Sequence, residues 1–416
     1  MPCGLCILAV MRILFALLKY LMLGLILIIA GSLGTMYYLD PVVTQRLISV
    51  LLLGGKSGPL ELVPGGPLID TPMATEHALS DAALRQTVVY AESSGTHALI
   101  VYHDDAIELE HYYPGYSASY ISSTQSMHKS VLAILVGIAI EAGHIDSVDD
   151  PAAKYLPEWA DDGRAQITIR QMLRQTSGID FATFGINPLG GFFQLMLGAD
   201  VTPTALNLPL ETEPGTRFDY TSAIAQNMGL IIQRATGMRY AEYLSQALWT
   251  QLGAGDAWVT LDSEEHGMAR TSCCLEATPR AWLHLGLLHL NQGRIGDKQV
   301  VPAQWMQDIA VPGQHNPNYG YFTWLGTQYE LYRTYNRKTS TRVLHSEPFV
   351  ANDVRFFDGF GGQRVYIIPS RRLVLVRIGD LATSWDDSYL VNLLVRDLDK
   401  SAAADATAMA PESDQP

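Results

Sequence analysis

Cysteine and basic residues are both scarce in this chain of 416 residues. It has four cysteines, and its 28 Lys and Arg residues face 42 Asp and Glu, for a formal net charge of −14. Four cysteines are too few for a disulfide framework in a chain of this length, and an acidic protein is repelled by nucleic-acid phosphates. We therefore expect neither a disulfide-stabilised scaffold nor a nucleic-acid-binding protein.

The cysteines occur as two pairs. Cys3 and Cys6 lie at the N-terminus, outside any strand and helix of a thioredoxin-like unit. Cys273 and Cys274 are adjacent, so that joining them requires a strained ring. We expect Cys273 and Cys274 to be buried thiols rather than metal ligands.

Several motifs of known enzyme classes are also absent. The chain has no Gly-x-Ser-x-Gly elbow, no His-Glu-x-x-His, no set of Cys-x-x-Cys pairs and no Gly-x-Gly-x-x-Gly. Gly55-Lys56-Ser57 lacks the glycine that a phosphate loop needs five residues earlier, because position 50 is Val. Metal-ligand spacing is missing among the histidines considered, His103, His111, His128, His284 and His289. We expect no metal and no organic cofactor.

A long apolar segment lies near the N-terminus. Residues 20–39 are almost uncharged and long enough to cross a bilayer as a helix, with Arg12 and Lys19 before them. Positive charge on the N-terminal side of this segment predicts a single-pass anchor with residues 1–19 in the cytoplasm. The rest of the chain is then predicted to lie outside the cytoplasm, in the periplasm if the source is a diderm bacterium. A signal peptide cleaved near Gly31–Gly34 and a buried helix of a soluble protein are the alternatives.

The remaining chain divides into three parts. Residues 40–75 are predicted to be a juxtamembrane connector, whose apolar stretch 42–53 is too short to span again and rests against the membrane or the domain. Residues 76–398 are predicted to be the folded domain. Residues 399–416 are acidic and rich in Ala, Pro and Ser, which favours a disordered tail.

Strand patterns lie at both ends of the domain and helical patterns lie between them. The predicted strands are residues 98–102, 106–110, 363–368 and 373–378. The predicted helices are residues 121–142, 167–173 with Gly178 as a cap, 223–236, 279–291 and a closing helix over 385–398. This order favours an α+β fold, in which an antiparallel sheet of N- and C-terminal strands is flanked by helices and a helical lobe is inserted.

The helix predicted over residues 121–142 carries two reactive groups at its start. Its body, from Val131 to Ile140, is apolar on every side and is therefore predicted to be a core helix. Ser126 and Lys129 are three residues apart, hence neighbours on one face. Burial and the positive end of the helix dipole favour the neutral amine, which can accept the serine proton. This pattern predicts a Ser-x-x-Lys nucleophile pair.

Two further stretches complete a candidate site. Tyr220 ends a turn before the helix over 223–236 and can relay a proton if a nearby ammonium lowers its pKa; the alternative is a tyrosine packed at a helix entrance. The glycine-rich stretch 358–363 opens the late strand pair. A backbone N–H there can stabilise an oxyanion, although an ordinary glycine-rich turn has the same composition.

Ser126-Met127-His128-Lys129, Tyr220-Thr221-Ser222 and the glycines after Asp358, in this order, resemble the serine β-lactamase and penicillin-recognising superfamily. The similarity covers residues 80–398 and is strongest to class C-like hydrolases of the esterase and 6-aminohexanoate-dimer hydrolase type. It implies a β-lactamase/transpeptidase-like fold, with Ser126 as acylated nucleophile, Lys129 as its base and Tyr220 as proton relay. It also implies an oxyanion hole of the Ser126 N–H and an N–H near Phe360, with Ser222, Gly359 and Gly361 around the substrate.

The sequence departs from that superfamily at two positions. Ser222 stands where asparagine is common, and Phe357-Asp358-Gly359 stands where the third motif has Lys or His, Thr and Gly. Without that cation a substrate carboxylate loses a charge-assisted bond. We therefore expect a hydrolase of small ester, amide or peptide-like substrates, with loops 183–210 and 313–350 carrying specificity. The alternatives are a penicillin-binding peptidase or β-lactamase and an inactive envelope scaffold.

Overall fold

The computed structural model describes residues 4–52, 55–180, 187 and 190–408. The α-helices in this part of the chain are α1 (Gly4–Leu39), α2 (Pro41–Leu52), α3 (Asp81–Ser93), α4 (His128–Glu141), α5 (Ile169–Leu173), α6 (Gly191–Leu197), α7 (Thr202–Leu206), α8 (Ser222–Thr236), α9 (Tyr240–Leu244), α10 (Thr250–Leu252), α11 (Pro279–Leu290), α12 (Ala303–Ile309) and α13 (Tyr389–Ala408). The strands are β1 (Leu60–Val63), β2 (Thr96–His103), β3 (Ala106–Tyr112), β4 (Ser122–Ser123), β5 (Ala257–Thr260), β6 (Leu275–Ala277), β7 (Arg294–Ile295), β8 (Lys298–Gln299), β9 (Trp324–Leu325), β10 (Tyr332–Thr334), β11 (Arg342–Leu344), β12 (Arg355–Gly359), β13 (Gln363–Ile368) and β14 (Leu373–Gly379).

The main sheet is built from the two ends of the domain, as predicted. Its six strands lie in the order β3-β2-β14-β13-β12-β9, and every neighbouring pair is antiparallel. The N-terminal hairpin β2–β3 joins the C-terminal strands where Leu375 pairs with Val101. Almost every residue of β2, β13 and β14 is buried, which explains their near-continuous apolar sequence.

Helices cover this sheet and form the inserted lobe. Helix α11 packs against β13 and β14, and α3 packs against β2 and α13. Gly286 permits the close approach of α11, because a Cβ there would lie 2.7 Å from a Val374 methyl. The segment between β4 and β5 is mainly helical, with α4 and α8 packed together at its centre.

A second sheet, which the sequence patterns did not predict, holds the start of α4. Its strand order is β1-β5-β6-β4, and Ser123 of β4 pairs with Glu276 of β6. The pairing fixes the chain three residues before Ser126.

The N-terminal helices are long and apolar. Residues 10–39 of α1 are long and apolar enough to cross a membrane, and the most apolar part of that stretch is exposed; a signal sequence has the same properties. After Asp40, α2 packs on α6 through Val43 and Leu197. Of the two contacts expected for residues 42–53, with the membrane or with the domain, the structure shows contact with the domain for α2; residue 53 lies outside the described residues.

Some predicted boundaries were wrong. Helix α4 begins at His128, after a 3₁₀ turn at Gln125–Met127. Helix α5 ends at Leu173 with Arg174 as its C-cap, so Gly178 does not cap it. Helix α13 continues to Ala408, which overturns the prediction of disorder for residues 399–408; residues 409–416 lie outside the described residues.

Candidate active site

Ser126 lies in the tight turn that connects β4 to α4. The preceding residue, Gln125, has φ +55°, in the left-handed region that non-glycine residues seldom adopt. Such backbone strain is typical of residues held in place for function. From the 3₁₀ turn the chain enters α4, whose first two turns are buried, so Ser126 stands on a rigid base.

Lys129 lies beneath Ser126 and is 2% exposed. Its Nζ is 2.8 Å from Ser126 Oγ, 2.6 Å from the Ser272 carbonyl oxygen and 3.5 Å from Ser222 Oγ. Burial lowers the pKa of Lys129 from 10.5 to about 7, and the charge of Asp358 only partly opposes this shift. A substantial fraction of the amine is therefore neutral at neutral pH, in the form that accepts a proton.

Tyr220 is buried beside this pair. The Lys129 Nζ lies 5.0 Å from the centre of the Tyr220 ring, and Trp324 and Tyr335 pack on the ring. Burial and the nearby Asp358 raise the pKa of Tyr220 well above 10, although a hydrogen bond with Ser126 acts in the opposite direction. The predicted condition that a nearby ammonium lowers the pKa of Tyr220 is wrong, because burial dominates and raises this pKa. Tyr220 is thus a phenol that can donate a proton.

The glycine-rich stretch reaches the site at the end of β12. A Cβ on Gly359 would lie 2.2 Å from the Thr124 carbonyl oxygen, so only glycine lets β12 approach the turn that holds Ser126 this closely. Phe360 is 44% exposed and lines the same cavity as Ser126 and Ser222. Gly361, with φ +84°, lines a neighbouring cavity instead and is not among the residues around Ser126.

Asp358 anchors a buried network of charges behind β12. Its Oδ1 accepts from Arg333 Nη2 at 2.8 Å and lies 2.6 Å from Arg364 Nη1. Both guanidinium groups also contact Asp387, whose pKa they lower to about 2 against the effect of burial. The sequence motif at Asp358 has no cation, but the fold brings two arginines beside it, each already paired with carboxylates.

The adjacent cysteines form a disulfide in the cavity wall. Cys273 and Cys274 are bonded to each other, so the prediction that they are thiols was wrong. Cys274 has φ +69°, which shows that the local backbone accommodates the small ring. The turn also presents the Ser272 carbonyl to Lys129 and the Cys273 carbonyl to His128 Nδ1, at 2.5 Å. Cys3 lies outside the described residues.

His128 is a core residue. It is fully buried, and its Nε2 is 2.7 Å from the Tyr240 hydroxyl. Burial lowers the pKa of His128 to about 4, so the ring is neutral. Within the described residues no group of three or more His, Cys, Asp or Glu side chains is arranged to hold a metal ion.

Ser126 opens into a cavity of about 410 Å³. Tyr220, Ser222 and Ser272 line it near Ser126, and Lys56 forms a 2.6 Å ion pair with Glu276 in the lining. Sequence reasoning missed the lining residues that come from distant segments, namely Val50, Lys56, Phe192, Met196, Glu276 and Tyr335. The signals were the two loops to which specificity was assigned, 183–210, which contains α6, and 313–350, which contains Tyr335.

Residues 86–378 match the family model described as Beta-lactamase. The chain belongs to the Beta-lactamase family. This membership agrees with the serine hydrolase that the three motifs predict.

Individual relatives in this family are distant. The 6-aminohexanoate-dimer hydrolase of Paenarthrobacter ureafaciens is 27% identical over 233 residues, which are 53% of this chain and 59% of that protein. Protein flp of Staphylococcus aureus is 31% identical over 111 residues, 24% of this chain and 20% of its own length. The chain thus spans about three-fifths of the first relative and one-fifth of the second.

Solved structures agree on the fold. A Bacillus anthracis protein described as a 6-aminohexanoate-dimer hydrolase superposes with a TM-score of 0.66 at 19% identity, covering 89% of this chain and 96% of that one. A family VIII carboxylesterase superposes with a TM-score of 0.58 at 14% identity, covering 81% and 100%. At these identities the likeness establishes the α+β β-lactamase/transpeptidase-like fold.

Proposed function

We propose that the protein hydrolyses a neutral ester or amide through an acyl-enzyme on Ser126. The observation that carries this proposal is the buried Lys129 amine, 2.8 Å from Ser126 Oγ with its pKa lowered to about 7. A neutral amine at this distance can take the hydroxyl proton as the oxygen attacks. An inactive scaffold would have no use for an amine held at such a cost in desolvation.

Each step of the reaction has a group to perform it. Lys129 accepts the Ser126 proton while Oγ bonds to the substrate carbonyl carbon, and the carbonyl oxygen becomes an oxyanion. Backbone N–H groups of Ser126 and Phe360 stabilise that oxyanion. Tyr220 passes its proton to the leaving alcohol or amine and regains one from Lys129. Water then attacks the acyl-enzyme with the same groups in reverse, which releases the acid and restores Ser126.

The charges around the cavity favour a neutral substrate. Lys56 is paired with Glu276, and Arg333 and Arg364 are paired with Asp358. A penicillin or a peptide C-terminus would place its carboxylate near Asp358 without a free cation to receive it. This supports an esterase or amidase over a β-lactamase or peptidase. The names of the relatives, a hydrolase of 6-aminohexanoate dimers and a carboxylesterase, agree with this choice.

Helix α1 is proposed to anchor the enzyme in a membrane, with the catalytic domain outside the cytoplasm. Its length and apolar composition suffice for a span, and Arg12 and Lys19 lie toward its N-terminal end. Protease protection of intact cells or spheroplasts tests this orientation. Digestion of the domain only after the cell membrane is opened would contradict it.

Activity-based labelling tests the proposed nucleophile. A fluorophosphonate should label the wild-type protein at Ser126 and leave Ser126→Ala unlabelled, while Ser130→Ala serves as a matched serine control because Ser130 Oγ bonds the Phe322 carbonyl away from the cavity. Labelling that persists in Ser126→Ala would overturn the assignment. A fluorescent penicillin in the same gel should give no band, and a band lost in Ser126→Ala would instead favour a penicillin-recognising enzyme.

A further inference from the structure

The catalytic cavity has an apolar wall made by two helices that carry none of the proposed catalytic groups. Val50 of α2 and Phe192, Met196 and Leu197 of α6 line it. Helix α2 lies before residues 86–378, which match the family model. This wall is therefore partly built from a segment that the matched family domain does not include.

Hydrogen bonds hold the two helices together. Arg46 of α2 donates to the carbonyl oxygens of Leu197 and Gly198 at 2.9 and 2.8 Å. Asp40, just before α2, accepts from Gln194 of α6 at 2.6 Å. Buried Val43 packs on Leu197 between these bonds. The apolar wall is thus a fixed part of the site.

The same helix links the cavity to the candidate membrane span. Only Asp40 separates α1 from α2, and Val50 lies nine residues after Pro41, about 14 Å along the helix axis. Around the cavity end of α2 the side chains of Val50, Leu51 and Leu52 are 40%, 69% and 76% exposed. Exposed apolar residues grouped in this way are typical of a surface that contacts lipid or an apolar ligand. The cavity therefore opens close to the plane in which α1 would leave a bilayer.

We infer that the substrate is a neutral ester with a medium-length or long apolar acyl chain, which lies along the α2–α6 wall and is supplied by the bilayer. This inference rests on the proposed Ser126 chemistry. Within the described part of the protein, each charged side chain that lines the cavity has an ion-pair partner. The α2–α6 wall of the cavity is lined by apolar side chains. An apolar chain gains from burial against this wall, whereas an acetyl group has little apolar surface to bury there.

Chain length provides the first test. The full-length enzyme in nanodiscs is assayed with p-nitrophenyl acetate, butyrate, octanoate and decanoate, because detergent micelles would compete for the wall. Burial of one methylene is worth about a fourfold change in an equilibrium or rate ratio, so kcat/KM should rise at least about tenfold from butyrate to octanoate. A profile that is flat or falls with chain length overturns the inference.

A pair of variants tests the wall itself. Val50→Glu puts a charge into the lining and should lower kcat/KM for octanoate about tenfold, while acetate changes by less than about twofold. Gln45→Glu puts the same charge on an exposed, polar residue of the same helix that does not line the cavity, and it should leave both esters near wild type. Equal losses for acetate and octanoate in Val50→Glu would overturn the inference. Fluorophosphonate labelling of Ser126 reports that each variant is folded.

The source of the ester is tested with a double-chain fluorogenic lipid ester that does not leave its bilayer. Hydrolysis should be faster when the enzyme and the ester share one nanodisc than when the ester is in separate vesicles. Equal rates in the two arrangements would overturn supply from the bilayer. Failure of the inference differs from failure of the proposed function. If the enzyme hydrolyses acetate, loses this activity in Ser126→Ala and shows no preference for longer acyl chains, only the inference fails. If neither ester turnover nor fluorophosphonate labelling is detected, the proposed function and the inference both fail.

Discussion

The pH dependence of the reaction follows from the burial of one amine. Lys129 has a pKa of about 7 in the folded protein against 10.5 in water, a shift equivalent to about 5 kcal/mol at about 1.36 kcal/mol per unit. If its neutral form is the base, the active fraction of the free enzyme is about 10% at pH 6 and about 90% at pH 8. An unshifted lysine would be less than about 1% neutral at pH 8.

The assay is kcat/KM for a neutral ester between about pH 5 and pH 9, because this ratio reports groups of the free enzyme. We expect a rise with a midpoint near 7 and a plateau above it. Lys129→Met should lose at least about a hundredfold in activity, and Lys129→Arg should be inactive throughout because its guanidinium stays charged. A midpoint above about 9, or a Lys129→Met enzyme with near-wild-type turnover, would refute the reasoning.

The same shift predicts a stability effect of defined sign. The folded pKa is depressed, so between about pH 7 and pH 10.5 the unfolded chain binds the proton that the folded chain lacks, and stability rises with pH there. Below pH 7 the folded protein carries the full cost of the buried charge. Lys129→Met removes this cost and leaves the Ser272 carbonyl without its donor at every pH. The Tm of the variant relative to wild type should therefore be higher at pH 6 than at pH 9.

Two further substitutions test the groups around the nucleophile. Tyr220→Phe should lower kcat by about a hundredfold for an ethyl ester. The loss should be much smaller for a p-nitrophenyl ester, because its leaving group needs no proton. Equal losses for the two esters would contradict the proton-donor role. Gly359→Ala should lower both Tm and kcat, because the new Cβ would lie 2.2 Å from the Thr124 carbonyl and push β12 from the nucleophile turn. Gly191→Ala, with no atom within 4 Å of its Cβ, is the control, and equal behaviour of the two variants would contradict the steric argument.

The sequence was most informative where local pattern and spacing decide the structure. Ser126 and Lys129 are neighbours because three residues of helical chain separate them, and the buried helix follows from the apolar run after Lys129. The strand pairs at the two ends of the domain were recognisable from their composition, and their union in one sheet was the simplest way to bury them. Tyr220 required the family resemblance, since nothing local relates it to a residue 94 positions earlier.

Features that depend on long-range contacts were not predictable in this way. The pKa of Tyr220 is set by burial under Trp324 and Tyr335 and by the charge of Asp358, which come from other segments. The arginines beside Asp358 are likewise distant in the chain. The disulfide between Cys273 and Cys274 depends on the unusual backbone of Cys274, which the residue types do not reveal.

The proposed catalytic groups and the apolar wall of the cavity come from different parts of the chain. Ser126, Lys129 and Tyr220 lie within residues 86–378, which carry the family, whereas Val50 lies in α2 and reaches the cavity from the N-terminal side. Removal of residues 4–52 to obtain a soluble enzyme would take away Val50 together with the Arg46 bonds that fix α6. Such an enzyme would keep the Ser126–Lys129 pair and lose one side of the apolar wall. Its preference among acyl chains would then describe the truncated cavity, so substrate screens need a chain that retains α2.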